Sequence, residues 1–102
     1  TIVRNAFLEE YPDAVSTFMD EHEASSQYTN EHPEEAAALI ADLGIVEQAA
    51  VAQKAIPACN ITYIDGQEMK DALSGYLNVL FEQDPASVGG SLPDDSFYHI
   101  LP

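Results

Sequence analysis

The chain has 102 residues, of which 46% are hydrophobic, and it carries 18 carboxylates against 3 lysines and arginines, for a net charge of −15. This length supports one small domain, and the charge argues against nucleic acid and anionic membrane surfaces as partners, because both are bound through neutralising cations. A single cysteine, Cys59, excludes an internal disulfide and a thiolate metal cluster. No apolar run is long enough to span a bilayer, so we predict no membrane insertion.

The chain opens with an extended segment and a long helix. Residues 1–7 are predicted to form a short strand, because Ile2 and Val3 are β-branched and a large apolar residue closes the stretch. A helix is predicted from Pro12 to about residue 30, since a fixed φ suits the first helical turn.

Two further helices and a second extended segment follow. One helix is predicted from Pro33, and Gly44 provides a left-handed cap at its end. A shorter, alanine-rich helix is predicted over residues 46–55, where it stops before Pro57. Alternating apolar residues predict an extended segment over residues 57–64.

The strongest amphipathic pattern covers residues 65–84. Asp65 and Glu68 have the spacing of a capping box, and Pro85 ends the helix. We expect the rest of the chain to pack against its apolar face, since each large side chain gains about 1.5–3 kcal/mol on burial. That face comprises Met69, Leu73, Tyr76, Leu77, Leu80 and Phe81.

The C-terminal residues predict little regular structure. Residues 86–93 hold two glycines and a proline and should form a surface loop, and Asp94 or Asp95 is expected to cap one final turn. The prediction is therefore a single, mostly α domain over residues 1–102, with short extended segments near residues 1–7 and 57–64.

Motifs for catalysis and metal binding are incomplete. His22-Glu23 resembles the start of a zinc-protease helix, but Ser26 stands where the second histidine is required. Ser74 lies within a predicted helix and not at a nucleophile elbow. Cys59 has no basic neighbour in sequence to lower its pKa. We therefore predict no catalytic residue, no metal site and no cofactor, and no enzymatic function.

Three strings of the sequence resemble a known family. They are VRNAFLEEYPDAVSTFMDEH, TNEHPEEAAALIADLGI and IPACNITYIDGQEMKDALSGYLNVLFEQDPASVGGSLPDDSFYH, which together cover nearly the whole chain. The first holds an F-x-E-E-x-P helix start and the second an N-x-x-P-E-E-A-A start. All three resemble the C-terminal part of ABC-transporter solute-binding proteins of the nitrate, sulfonate and taurine type, in a Clostridia-like branch.

The resemblance implies both a fold and a function. Proteins of this family are two-lobed, periplasmic-binding-protein-like α/β proteins that capture a small molecule between the lobes and deliver it to an ABC permease. The chain is then expected to be the helical C-terminal fragment of a longer protein located outside the cytoplasm, as a periplasmic protein or a cell-surface lipoprotein. On its own, the fragment is not expected to bind the ligand.

The resemblance also suggests ligand-binding residues. If residues 1–7 return across the hinge between the lobes, Arg4 and Asn5 lie nearest to the cleft, and a guanidinium can grip an anion through two hydrogen bonds. Asn60 is a lesser candidate, because it can equally belong to a turn. The alternative for Arg4 is a surface ion pair with Glu9 or Glu10.

A second hypothesis is a free-standing, acidic helical module that binds a protein partner. The two hypotheses differ in what covers the apolar helix faces. In a solute-binding protein the sheets cover them, whereas a self-contained module buries them in its own interior. For a fragment separated from its sheets we expect association into a homodimer, because uncovered apolar patches favour self-association.

Overall fold

The computed structural model describes all of residues 1–102, and it is mostly helical, with 70% of residues in helices and no strand. Contacts group the chain into two compact units, unit 1 (Thr1–Tyr63) and unit 2 (Ile64–Pro102). A single domain over residues 1–102 stays a prediction. The α-helices are α1 Asn5–Glu10, α2 Pro12–Glu31, α3 Pro33–Asp42, α4 Ala49–Ala55 and α5 Gly66–Gln83, with short 3-10 turns at Ile56–Ala58, Pro85–Val88 and Asp95–Phe97.

The N-terminal strand prediction is wrong for residues 5–7, which begin α1. The carbonyl oxygen of Arg4 accepts the backbone N–H groups of Phe7 and Leu8, each at 3.0 Å, and so starts the helix. The strand signal came from two β-branched residues, and β-propensity acts mainly through packing on a sheet. No strand is present to pair with them, and Ile2 remains 93% exposed.

The proline-started helices of unit 1 are confirmed. Pro12 and Pro33 each occupy the first turn of their helix, α2 and α3. Between these helices His32 has a non-helical backbone, with φ of −128° and ψ of 60°, and its N–H donates to the carbonyl of Tyr28 at 2.8 Å. A single residue, His32, therefore separates α2 from α3, because the ring of Pro33 prevents α2 from continuing.

Gly44 ends α3 in the predicted left-handed conformation, with φ of +73°. Its N–H donates to the carbonyl of Ala41 at 3.0 Å, and the N–H of Ile45 donates to Ile40 at 3.1 Å. These two bonds are those of a Schellman cap. The next helix begins at Ala49, three residues later than predicted, because the chain bends through residues 45–47 after this cap.

The core of unit 1 lies where α3 meets α4 and the turn after it. Its buried side chains are small, and Ala37 is only 1% exposed. Alanine side chains let two helices approach closely, so this contact buries backbone and methyl groups rather than large side chains. The cluster comprises Ala36, Ala37, Ala52 and Ile56, with Ile40, Val46 and Ile61 partly buried around it.

The second extended segment is shorter than predicted. Residues 57–60 are not extended: Pro57 lies in the 3-10 turn Ile56–Ala58, and Asn60 has a left-handed φ of +51°. The turn forms because α4 runs directly into it, and the N–H of Cys59 donates to Ile56 at 3.1 Å. Non-helical backbone then covers residues 61–65.

In unit 2, α5 has the predicted bounds but not the predicted burial. Asp65 is the N-cap residue, yet its carboxylate makes no capping hydrogen bond. No residue of α5 is fully buried, and Tyr76, predicted on the packed face, is 61% exposed. The expectation that α5 organises the core is therefore wrong, because the most buried side chains lie in the α3–α4 contact and in α2.

After α5 the chain turns twice. The predicted loop begins with the 3-10 turn Pro85–Val88, which Asp84 caps by accepting the N–H of Ala86 at 3.0 Å. The predicted cap at Asp94 is confirmed: its carboxylate accepts the N–H of Ser96 at 2.9 Å and the Ser96 hydroxyl. These hydrogen bonds lower the pKa of Asp94, since they favour the charged carboxylate.

Candidate functional site

A polar groove lies within unit 1, between one face of α2 and the extended segment that follows the turn after α4. Glu23, Gln27 and Asn30 are spaced four and three residues apart, which places them along one side of α2. The opposite wall comes from residues 61–63. The groove has a volume of about 190 Å³ and is lined by Glu23, Ser26, Gln27, Asn30, Ile61, Thr62 and Tyr63.

Hydrogen bonds fix the orientation of the polar groups in this groove. The Asn30 Nδ2 donates to the carbonyl oxygen of Ile61 at 2.8 Å, which ties the two walls together. The Gln27 Nε2 donates to a carboxylate oxygen of Glu23 at 3.4 Å. Ser26, the one buried polar residue, donates its hydroxyl to the carbonyl of His22 at 2.9 Å. The amide nitrogens are thus engaged, and their oxygens are left as acceptors.

His22 lies beside the groove in an aromatic cluster. Its ring stacks on Phe18, with centroids 5.6 Å apart and planes at 14°, and meets Tyr63 edge-on at 5.6 Å and 74°. The histidine therefore packs against rings while remaining exposed to solvent. This packing favours a structural role for His22 over a ligand-binding one.

The predicted ligand-binding residues lie outside this groove. Arg4, Asn5 and Asn60 are all exposed, and none of them lines it. Arg4 lies on the surface, as its alternative predicts, but it forms no ion pair with Glu9 or Glu10. The carboxylate of Glu10 instead accepts the Tyr11 hydroxyl at 2.8 Å. That hydrogen bond raises the pKa of Tyr11.

The roles of these three residues in ligand binding stay predictions. Arg4 and Asn5 begin α1, where the carbonyl of Arg4 accepts the first helical N–H groups. The left-handed φ of Asn60 is the conformation that asparagine tolerates in turns, so its backbone position has a structural reason of its own.

Unit 2 holds a second, apolar groove of about 300 Å³. It also contains an ion pair between α5 and the C-terminal residues. Lys70 on α5 pairs with Asp95 at 2.8 Å and lies 5.9 Å from the centre of the Tyr98 ring. The hydrogen bond to Asp95 raises the pKa of Lys70, because it favours the charged ammonium. The groove is lined by Leu77, Ser87, Val88, Ser91, Leu92, Pro93 and Phe97.

We predict that added salt stabilises the protein. Its 18 carboxylates far outnumber its 3 cations and repel one another in the folded state, and salt screens this repulsion beyond about 10 Å at 0.1 M. The single Lys70–Asp95 pair, whose carboxylate is exposed, is too weak to reverse the trend. Thermal melts between low and moderate ionic strength should show a rising midpoint, and a flat or falling midpoint would contradict the prediction.

The remaining sequence candidates for chemistry are not assembled into a site. No cluster of three or more His, Cys, Asp or Glu side chains is placed to hold a metal ion. Cys59 is exposed in the turn after α4. None of the helices combines the length and apolar character needed to cross a membrane.

Comparisons with known proteins leave the sequence resemblance as the basis for any assignment. No family model, curated protein or solved structure matches the chain.

The polar groove was missed by sequence reasoning, because its two walls are about thirty residues apart in the chain. The available signal was the polar stripe of Glu23, Gln27 and Asn30 on α2.

Proposed function

We propose that this chain is the helical C-terminal portion of the substrate-binding component of an ABC importer. Three strings of its sequence resemble that family, and the observation that carries the proposal is the uncovered apolar surface of its helices. Val15 and Ile56 are the only buried apolar side chains larger than alanine. Leu43 at the end of α3 is 75% exposed, and Tyr76 and Val79 on α5 are 61% and 56% exposed.

This surface is what helices of a layered α/β protein expose when considered without their sheet. A helix is stable in such a fold because its apolar stripe packs on the neighbouring layer. Isolated exposed apolar residues are common, but several large ones on both α3 and α5 mark surfaces that another body covers. In the proposed protein, the sheets of two lobes cover them.

The proposed role is capture and delivery of a small anion outside the cytoplasm. The lobes enclose the ligand in their cleft, and the loaded protein passes it to a membrane permease. Within this chain, Arg4 is the proposed cleft residue, with Asn5 next to it and Asn60 as a lesser candidate, because a guanidinium can donate two parallel hydrogen bonds to a sulfonate or carboxylate.

The ligand role of Arg4 predicts a loss of affinity in the full-length protein. Arg4→Ala should weaken ligand binding, measured by calorimetry, by about 1.5–3 kcal/mol, the usual contribution of a hydrogen bond to a charged group. Lys54→Ala is the matched control, because it also removes an exposed cation. Equal affinity in the two variants and the unaltered protein would assign Arg4 to the surface.

The function itself is tested on the protein encoded by the complete reading frame. That protein should carry a secretion or lipoprotein signal and two α/β lobes, and its melting temperature should rise with nitrate, taurine or an alkanesulfonate. The free-standing protein-binding module predicts instead a reading frame without lobes and no stabilisation by any of these anions.

Self-association separates the two hypotheses further. For this chain alone we expect a homodimer held by the exposed apolar surface. Sedimentation that shows a strict monomer at high concentration would favour the self-contained module.

A further inference from the structure

We propose that the polar groove between α2 and residues 61–63 binds a guanidinium group. Its rim presents hydrogen-bond acceptors: the carboxylate of Glu23 and the amide oxygens of Gln27 and Asn30, whose nitrogens donate within the protein. No lysine or arginine lines the groove to neutralise these acceptors. The site is independent of the proposed transport function and of the residues assigned to it.

The arrangement fits a guanidinium better than a compact ammonium. Glu23, Gln27 and Asn30 lie on one side of α2, four and three residues apart, so neighbouring turns offer adjacent acceptors to a bound ligand. A guanidinium presents five N–H donors in a flat fork, whereas an ammonium is a point charge. Tyr63 adds an aromatic ring to the opposite wall, and guanidinium planes stack on such rings.

The groove is also held open in a defined shape. The 2.8 Å bond from Asn30 to the Ile61 carbonyl joins the two walls, and the buried hydroxyl of Ser26 already donates to the carbonyl of His22. A ligand therefore meets preorganised acceptors, which reduces the ordering cost of binding. The strongly negative chain attracts the cation over longer range.

The test is a titration of the 102-residue chain with propylguanidinium, in which NMR spectra record the amide chemical shifts. Propylurea, its neutral isostere, and propylammonium are the comparison probes. We expect propylguanidinium to shift resonances of residues 23–30 and 61–63, and propylurea to leave them unchanged. Propylammonium should bind more weakly, because it lacks the planar fork.

Two variants decide whether the groove or general charge attraction is responsible. Glu23→Gln should weaken propylguanidinium binding by about tenfold or more, since it removes a charged hydrogen-bond acceptor. Glu21→Gln changes the net charge equally on the same helix but outside the groove, and should weaken binding by less than about twofold. Both residues are exposed, and circular dichroism verifies that both variants fold.

The source of the guanidinium is distinguished by one further ligand. N-acetylarginine amide imitates an arginine side chain on a protein, and binding at least as tight as that of propylguanidinium would assign the groove to a protein-borne arginine. Tighter binding of propylguanidinium would assign it to a free small guanidine. Equal weakening by Glu23→Gln and Glu21→Gln, or equal shifts with propylurea, would overturn the proposal.

Discussion

Ile56→Ala should lower the free energy of unfolding of unit 1 by about 2–5 kcal/mol. Ile56 is 5% exposed and is the one large side chain among the alanines of the α3–α4 core. Its truncation leaves a cavity between α3, α4 and the turn that α2 also contacts, and a core of small side chains has little freedom to collapse into it. Urea titrations followed by circular dichroism measure the change.

Ile2→Ala is the matched control for this substitution, because it deletes the same atoms from a residue that is 93% exposed. We expect a change below about 0.5 kcal/mol there, as for most surface substitutions. Similar losses in the two variants, or no loss at Ile56, would mean that the packed cluster does not stabilise unit 1.

Ala37→Glu should destabilise unit 1 by about 3–5 kcal/mol, the cost of an unpaired buried charge. Ala37 is 1% exposed at the contact of α3 with α4, and the chain has few cations that could neutralise a new carboxylate. Glutamate is itself a good helix former, so the loss of stability would report burial of the charge and not weaker helix formation. If the substitution prevents unit 1 from folding, the urea titration would show no cooperative unfolding transition.

The neighbouring substitution Ala38→Glu provides the comparison. Ala38 is exposed on the same helix, so the same change in charge and propensity should cost less than about 0.5 kcal/mol. If both variants are destabilised equally, general charge repulsion rather than close packing limits the stability of this helix.

Helix bounds were predictable where a local residue sets them. Pro12, Pro33, Gly44 and Asp84 followed by Pro85 each act through their own backbone geometry, and the structure has helix ends at all of these positions. Such signals need no knowledge of the rest of the fold. They account for the correct bounds of α2, α3 and α5.

Packing was not predictable in the same way. The periodicity of α5 shows which side chains share a face, but it does not show whether another element covers that face. Burial instead centres on Ala36, Ala37 and Ala52, whose small size gives a weak hydrophobic signal and a close helix contact. The strand expected at residues 1–7 failed for a related reason, because a strand needs a partner.

The candidate sites also differ in whether local sequence or the folded structure identifies them. Arg4, Asn5 and Asn60 were chosen from a resemblance and from their side-chain chemistry, and their proposed roles would need parts of a longer protein. The polar groove depends on the Asn30–Ile61 hydrogen bond, which joins residues far apart in the sequence. Only the polar stripe on α2 was visible beforehand, and such a stripe is more often a solvated helix face.

Hydroxyl-radical footprinting of this chain, alone and within the full-length protein, tests the central claim most directly. If the helices cover the sheets of a two-lobed binding protein, the exposed residues Leu43 on α3 and Tyr76 and Val79 on α5 are modified in the isolated chain and protected in the longer protein. A free reference peptide added to both samples reports the radical dose. Equal modification of Leu43, Tyr76 and Val79 in both samples would contradict the account.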